Sequence, residues 1–313
     1  MGNFIRVVET WLPAADGRTL QLGDGLFDAA PAFGAISRTM SFARGEGLPG
    51  HAWEEGRPIL LHQFEGSYFR RADAARAAHL TCAVALPIFR GTALTSVLVL
   101  LCGDVPPPLG AIELWHNDPR ITTDLKLVDG YFGATPAAFE TLTRDGGLAR
   151  GFGAPGLAWQ CEAAVFIDNV SDARSFLRAQ VAAEAGIVSA LAIPCSVRVA
   201  QTWVLSLLSS RSTPIARRVE SWLPNHASTH LRRAFGFCTV HGRLAADESS
   251  ATPIDALGPI GDSMRRGAAR AVAASALPGG WWDAALNACG LHSVVTIPVV
   301  SDGAVSEIVA LYF

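Results

Sequence analysis

The chain is poor in charge. Only 17% of its 313 residues are Asp, Glu, Lys or Arg, and the formal net charge is −3. Without a basic excess it lacks the phosphate-neutralising surface that nucleic-acid binding rests on. No apolar run comes near the ~20 residues a membrane-spanning helix needs; the densest, Leu94 to Cys102, is far shorter. The start, MGNFIRVV, lacks the basic-then-apolar layout of a signal peptide, and Arg6 stands where a myristoylation motif wants Ser or Thr. Cys-x-x-Cys is absent, and Cys82, Cys102, Cys161, Cys195, Cys238 and Cys289 follow no framework spacing. Reduced thiols and a cytoplasmic location are the expectation. The eight histidines show no metal-ligand spacing, and His116-Asn117-Asp118 reads as a hairpin turn. These residues name no metal and no cofactor, and neither a nucleic acid nor a membrane is expected as a partner.

Apolar material, by contrast, is plentiful. The sequence is 50% hydrophobic, enough for packed cores and against disorder. Its length suggests two or three domains of roughly 100–200 residues each. The chain also repeats itself. Glu-x-Trp recurs in VVETWLP, AIELWHN and RVESWLP, with Trp11, Trp115 and Trp222 spaced by 104 and 107 residues. LPGHAWEEG, APGLAWQCE and PIGDSMRRG follow, with Trp53, Trp159 and Met264 spaced by 106 and 105. AAHLTCAVALPI, EAGIVSALAIPC and ACGLHSVVTIPV come next, with Pro87, Pro194 and Pro298 spaced by 107 and 104. Three landmarks in one order at one period define three repeats: residues 1–103, 104–210 and 211–313. The third is degenerate, having lost the Trp and the first glycine of its loop.

One layout is predicted for every repeat. A β-hairpin opens it, as in RVVETWLPAADGRTLQL with AADG as the turn. A variable stretch follows, then a Gly/Pro loop with a short helical turn, a strand, a short helix and two closing strands. The loops GEGLPG (45–50) and GFGAPG (151–156) spell G-x-G-x-x-G. A dinucleotide loop must leave a strand and open a helix long enough to cross to a parallel strand. Here Gly56-Arg57-Pro58 stops the helix within about five residues, and antiparallel hairpins head the repeats. The glycines are therefore expected to permit tight turns that seat Trp53 against the sheet.

The order hairpin, G-x-G-L-P-G-x-x-W, strand, helix ending in A-x-x-G-L, A-x-P-I and a final apolar strand resembles the GAF domain. The first repeat carries the likeness in GEGLPGHAWEEGRPILL, FRRADAARAAHLTCAVALPIF and TSVLVLLCG, the second in GFGAPGLAW, AGIVSALAIPC and TWVLSLL, the third in GPIGDSM and CGLHSVVTIPVV. GLPG-x-x-[FW] and ALP-[IV]-F also resemble the GAF-like region of plant NIN-like nitrate-responsive regulators. The resemblance implies an α+β fold of three units. Each would be a six-stranded antiparallel sheet with short helices and loops on one face, enclosing a small-molecule pocket. GAF units sense ligands such as cyclic nucleotides, bilins, haem, nitrate or 2-oxoacids for an attached output domain. With the third repeat running to Phe313, no attached output domain is expected, and DVPPPLG (104–110) is too short and Pro-rich for the long helices that usually flank a GAF unit. Uncovered sheet backs must then pack on each other or on a second subunit, and FIRVVETW is expected beside SEIVALYF in one pseudo-threefold body. A homo-oligomer or a separate output protein is the expected partner.

Candidate ligand-binding residues follow from the repeat. Trp53 and Trp159 occupy equivalent places, as core or as an aromatic pocket wall. Tyr68, Phe69 and Arg71 of the first repeat correspond to Phe176 and Arg178 of the second; an Arg at a pocket mouth can fork onto an anion such as nitrate or a carboxylate, the alternative being a solvated surface. Glu9, Glu113 and Glu220 lie two residues before a Trp, so each shares a strand face with it. An Arg partner across a repeat or subunit contact is expected for them, because charges are seldom buried unpaired. Phe69-x-x-x-Asp73 matches only part of the cyclic-nucleotide motif of some GAF domains, and that ligand is not expected. His51, His79 and Cys82 lie near the same predicted pocket. An enzyme using Cys82 as nucleophile and His51 as base is one alternative, although the cysteine pattern of the GAF-fold free-methionine sulfoxide reductases does not map onto Cys82, Cys102 or Cys161. A second alternative is a structural scaffold whose pockets are filled by side chains. The favoured expectation is a non-catalytic sensor or adaptor binding a small molecule, an anion among the options.

Overall fold

The computed structural model describes residues 3–103, 108–172, 176–195, 201–245, 251–277, 282 and 284–313. Residues 104–107 of the DVPPPLG connection and most of GGWWD lie outside them. The first third of the chain forms β1 (Ile5–Pro13), β2 (Thr19–Leu26), α1 (Pro31–Ser37), β3 (Ser41–Ala43), α2 (Gly47–Glu55), β4 (Ile59–His62), α3 (Ala72–Ala77), β5 (Leu80–Arg90) and β6 (Ala93–Gly103). Next come β7 (Leu109–Asn117), β8 (Lys126–Gly133), α4 (Ala137–Asp145), α5 (Gly153–Cys161), β9 (Val165–Ile167), α6 (Ala179–Glu184), β10 (Ser189–Cys195) and β11 (Thr202–Ser209). The last third holds β12 (Arg218–Pro224), β13 (His230–Cys238), β14 (Gly242–Arg243), β15 (Thr252–Pro253), α7 (Gly258–Arg266), β16 (Arg270–Ala273), α8 (Ala284–Ala288), β17 (Ser293–Ser301) and β18 (Ala304–Tyr312).

The strands form three antiparallel sheets, in the orders β3-β2-β1-β6-β5-β4, β8-β7-β11-β10-β9 and β14-β13-β12-β18-β17-β16, with β15 beside β13. In each, the opening hairpin pairs with the last strand of its own third: β1 with β6, β7 with β11 and β12 with β18. The expected neighbourhood of FIRVVETW and SEIVALYF is therefore corrected. Both segments lie inside their own sheets, and the first and third sheets meet instead where β16 packs on β2.

Side-chain alternation explains the layering. On β5, Cys82, Val84, Leu86 and Ile88 join one cluster, while Ala83 and Ala85 join another on the opposite face. The first cluster is shared by all three sheets: Leu98 and Leu100, Leu205 and Leu207, and Val309 and Leu311 meet in it. The three outer faces are covered separately, each by the helices of its own third. The sheet backs thus pack on one another. Polar ties cross the junctions. Phe4 donates its backbone N–H to Pro214 O at 3.1 Å, Ala269 to Ser96 Oγ at 3.0 Å and Ala164 to Glu307 Oε2 at 2.7 Å. Arg270 bridges to Asp24 at 2.5 Å.

The glycine loops open α2, α5 and α7 and serve close approach. A Cβ on Gly50 would stand 2.1 Å from Ala43 O, one on Gly156 2.3 Å from Ala149 O, and one on Gly261 2.0 Å from Ile254 O. Gly56, at φ 65°, ends α2 in the left-handed conformation open to glycine. No helix among the described residues is long and apolar enough to cross a membrane.

Candidate functional site

The face where the sequence placed a pocket is closed by its own charge pair. Glu9 on β1 and Arg71 at the start of α3 form a forked ion pair beneath α1 and α3. Arg71 NH2 donates to Glu9 Oε2 at 2.9 Å, and NH1 donates to both Glu9 Oε1 and Ser37 Oγ. Trp11 Nε1 donates to the same Glu9 Oε2 at 3.0 Å, as the shared strand face requires. Four rings surround the guanidinium: Phe33 at 4.5 Å, Phe69 at 5.3 Å, Trp11 at 5.4 Å and Phe42 at 5.7 Å. The side chains of Arg71 and Glu9 are only 2% and 0% exposed.

The second sheet builds the same node from other residues. Arg178 donates to Glu113 at 2.6 and 3.0 Å and to Thr143 Oγ1 at 2.5 Å. Trp115 Nε1 donates to Glu113 at 2.8 Å, and Phe139, Trp115 and Phe176 lie 4.9–5.5 Å from the guanidinium. In the third sheet Glu220 is held by strand residues: Arg218, Arg233, Trp222 and Tyr312 all donate to it.

Arg71 and Arg178 therefore stand neither at a pocket mouth nor on the surface, and both expectations for their placement are corrected. Their planar forks match carboxylates inside the same sheet, where the sequence suggested a contact across a repeat or subunit. Burying two charges is tolerable only when each is paired and hydrogen-bonded. That explains why Ser37 and Thr143, which the repeat pattern did not mark, complete the nodes.

The other expected site residues divide. His51 and Tyr68 meet as a stacked pair, centroids 3.9 Å apart; His51 Nδ1 lies 2.8 Å from Gly47 O, so that nitrogen carries the proton. Burial raises the Tyr68 phenol. Phe69 and Phe176 are buried against the arginines, and Phe69 also stacks on Phe64 at 4.1 Å. Trp53 and Trp159 pack half-buried against the outer cores. Cys82 is placed elsewhere: it belongs to the shared inner core, whereas α2 with His51 lies across the sheet on the outer face. Burial pushes its thiol well above the ordinary value, which suppresses the thiolate a nucleophile needs. Cys82 and His51 do not form a catalytic pair. No group of three or more His, Cys, Asp and Glu among the described residues is placed to hold a metal ion.

Open volume lies where sheets meet. Between the first and second is a cavity of about 710 Å³ whose wall includes His62, Gln63, Glu65, Arg76, His79, Thr81 and Tyr131. His62 Nε2 meets Asp129 Oδ1 across the junction at 2.9 Å. That hydrogen bond raises the imidazole pKa against the opposing effect of burial. Burial works to raise the Asp129 carboxyl, but His62 and neighbouring donors hold it below its usual range. Thr81 Oγ1 is buried with no hydrogen-bond partner among the described residues. Gln63 and His79 are left-handed, at φ 77° and 54°; glycines precede β10 and β17 in the second and third thirds of the chain, Gly186 and Gly290, at 73° and 65°. A left-handed non-glycine residue costs roughly 1–2 kcal/mol, and such strain concentrates at ligand clamps and switches.

A second cavity, of about 630 Å³, lies at the corresponding junction of the second and third sheets; Asn169, Ser189, Arg211, Arg217 and Phe237 are in its wall. Both volumes fall in the range of small-molecule sites, ~300–1,000 Å³.

Neither a protein-family model nor the sequence of any curated protein matches the chain. Solved structures similar to parts of it include two GAF-domain structures. The GAF domain of nlh2 from A. aeolicus, in an inactive state, is 17% identical over 32% of this chain and 58% of that one, with a TM-score of 0.26. A GAF domain/HD domain protein from Geobacter sulfurreducens is 15% identical over 33% of this chain and 65% of that one, at a TM-score of 0.27. The NreA protein of Staphylococcus aureus, mutated in its nitrate binding site, is 15% identical over 34% and 78%, also at 0.27. Each match spans about a third of the present chain, and the first two span less than two thirds of their own.

Proposed function

We propose that the chain is three GAF-like units, 1–103, 104–210 and 211–313, fused into one body that binds a small molecule without catalysis and acts through a separate partner. The observation that carries this reading is the filling of the two within-sheet spaces by Arg71 and Arg178 while the sheet junctions stay open. A ligand at a junction touches two units at once. It can therefore bias how they pack, which is the differential contact any ligand-driven change of state requires. The outcome would be read by a partner protein or a second copy.

The test is a thermal-shift and calorimetric screen of metabolites and anions against the whole chain. Saturable stabilisation follows from mass action, and Ser189→Trp or Ala72→Trp, each obstructing one junction cavity, should remove it while far-UV circular dichroism stays unchanged. Binding that survives both obstructions refutes the junction sites. Silence across a broad panel favours the scaffold alternative.

A further inference from the structure

We infer that the cavity between the second and third sheets takes a small organic acid, one carboxylate carried on an apolar body. The inference rests on the reading of the junctions as binding sites and adds the chemistry of one of them.

Its wall holds two arginines. Arg217 spends one N–H on Gly290 O, at 2.9 Å, and its side chain makes no other hydrogen bond or ion pair among the described residues. Arg211 makes none among them. The carboxylate in the same wall, Asp168, is already neutralised by Arg243, which forks onto it at 2.6 and 2.8 Å. Two guanidiniums with free donors therefore share a cavity whose acid is spent, and a planar carboxylate matches that fork. The hydroxyls of Ser189 and Ser210 are engaged with Ser209, Ser212 and Thr213, which leaves few further donors for a trianionic or phosphate group.

Much of the remaining wall is apolar. Val188, Pro214, Phe237 and Val240 supply its apolar part, beside Asn169, Thr239 and Cys289, and Val240 is 63% exposed, a surface that a hydrophobic ligand body would cover. The junction of the first and second sheets differs in charge. Counting from the paired glutamates Glu113 and Glu220, Gly110 stands where the later unit has Arg217. The cations there, His62 and Arg76, are paired with Asp129 and Glu65. Of these two junctions, the second is the one that holds arginines with no carboxylate partner among the described residues.

The test is calorimetric titration of the whole chain with phenylbutyrate, with phenylbutanol as its neutral counterpart and with inorganic phosphate. Phenylbutyrate should saturate one site and bind about tenfold or more tighter than the alcohol and than phosphate, given the strength of charge-assisted hydrogen bonds. Arg211→Gln and Arg217→Gln should each weaken the acid several-fold and leave the alcohol unmoved, while Arg266→Gln changes neither. Arg211 has no partner among the described residues to lose, so its variant reports on the ligand even where Arg217→Gln lowers the melting temperature. No acid binding at millimolar concentration, tighter phosphate binding, or acid affinity unmoved by both variants overturns the inference. Equal binding of acid and alcohol, lost together in Ser189→Trp, overturns the charge claim and leaves the cavity standing. Binding that survives Ser189→Trp removes both.

Discussion

Replacing Arg71 by methionine tests the idea that the first sheet's outer space is closed by a charge pair. Methionine keeps an unbranched apolar stem among Trp11, Phe33, Phe42 and Phe69 but leaves the Glu9 carboxylate, 0% exposed, with Trp11 Nε1 as its only remaining side-chain donor among the described residues. Breaking a buried pair by removing one partner costs about 3–5 kcal/mol, because the survivor is an uncompensated charge. Domains are stable by roughly 5–15 kcal/mol, so the loss is a large share of the total. Adding Glu9→Gln should restore part of it, by about 1–3 kcal/mol, since glutamine still accepts from Trp11 and carries no charge to strand. The sign matters most: the second substitution stabilises the first variant although it destabilises the native chain. Urea unfolding followed by tryptophan fluorescence and far-UV circular dichroism measures all four proteins, with the slope on urea checked for constancy. A loss below about 1 kcal/mol for Arg71→Met, or an additive loss for the double variant, refutes the reasoning.

Gly50→Ala should destabilise by more than the roughly 1 kcal/mol of an ordinary surface change, because its Cβ would meet Ala43 O at 2.1 Å; an unchanged melting temperature would contradict the close-approach role. His62 is raised in the folded chain, so its contribution is complete below the unfolded value of 6.5 and fades as pH climbs through the higher folded value. Asp129 is lowered, so its contribution holds above 3.8 and is lost as pH falls through the folded value. His62→Asn should flatten the decline of stability from pH 6.5 upward; with the two side chains 40% and 35% exposed, the amplitude is below about 1 kcal/mol. Cys161 is exposed, while Cys82 and Cys102 are buried with thiols raised by burial. An aromatic disulfide reagent should therefore find one fast thiol, absent in Cys161→Ser, and rapid labelling of Cys82 would contradict its core position. Deleting residues 211–313 exposes Leu100, Ile112 and Leu205 of the shared inner core and should abolish soluble cooperative folding; a stable, sharply unfolding 1–210 fragment would show the sheets to be independent.

Much of the fold was written in short-range pattern. AADG turns β1 into β2 through Gly17 at φ 67°, and two-residue alternation on β5 separates the inner valines and leucines from the outer alanines. Such features depend on neighbours a few positions away, which periodicity reports directly. The packing of the three sheets had a physical argument as well, because apolar backs without flanking helices have to meet something. Which edges would meet did not follow. Strand pairing within a sheet is local, whereas the approach of β16 to β2 depends on the twist and size of every unit.

The site was legible in type and not in use. Glu-x-Trp said that a carboxylate and an indole share a strand face, and buried charge said that an Arg must come. The repeat even returned the right two arginines, since Arg71 and Arg178 stand 107 residues apart. Yet an arginine that serves an internal carboxylate and one that awaits a ligand's carboxylate obey the same chemistry: a planar fork, aromatic neighbours and a second donor-acceptor alongside. Only the distance to Glu9 decides between them, and Glu9 lies 62 residues away in sequence. Ser37 and Thr143 were hidden for a related reason, sitting on α1 and α4 in the stretch where the repeats share least. The open cavities escaped for the opposite one. Arg211 and Arg217 have significance through Val188, just before β10, and Phe237 on β13, and no period of the sequence contains a junction. Repeats disclose what each unit does for itself; what two units do together resides in the residues by which they differ, and at the second junction those are arginines.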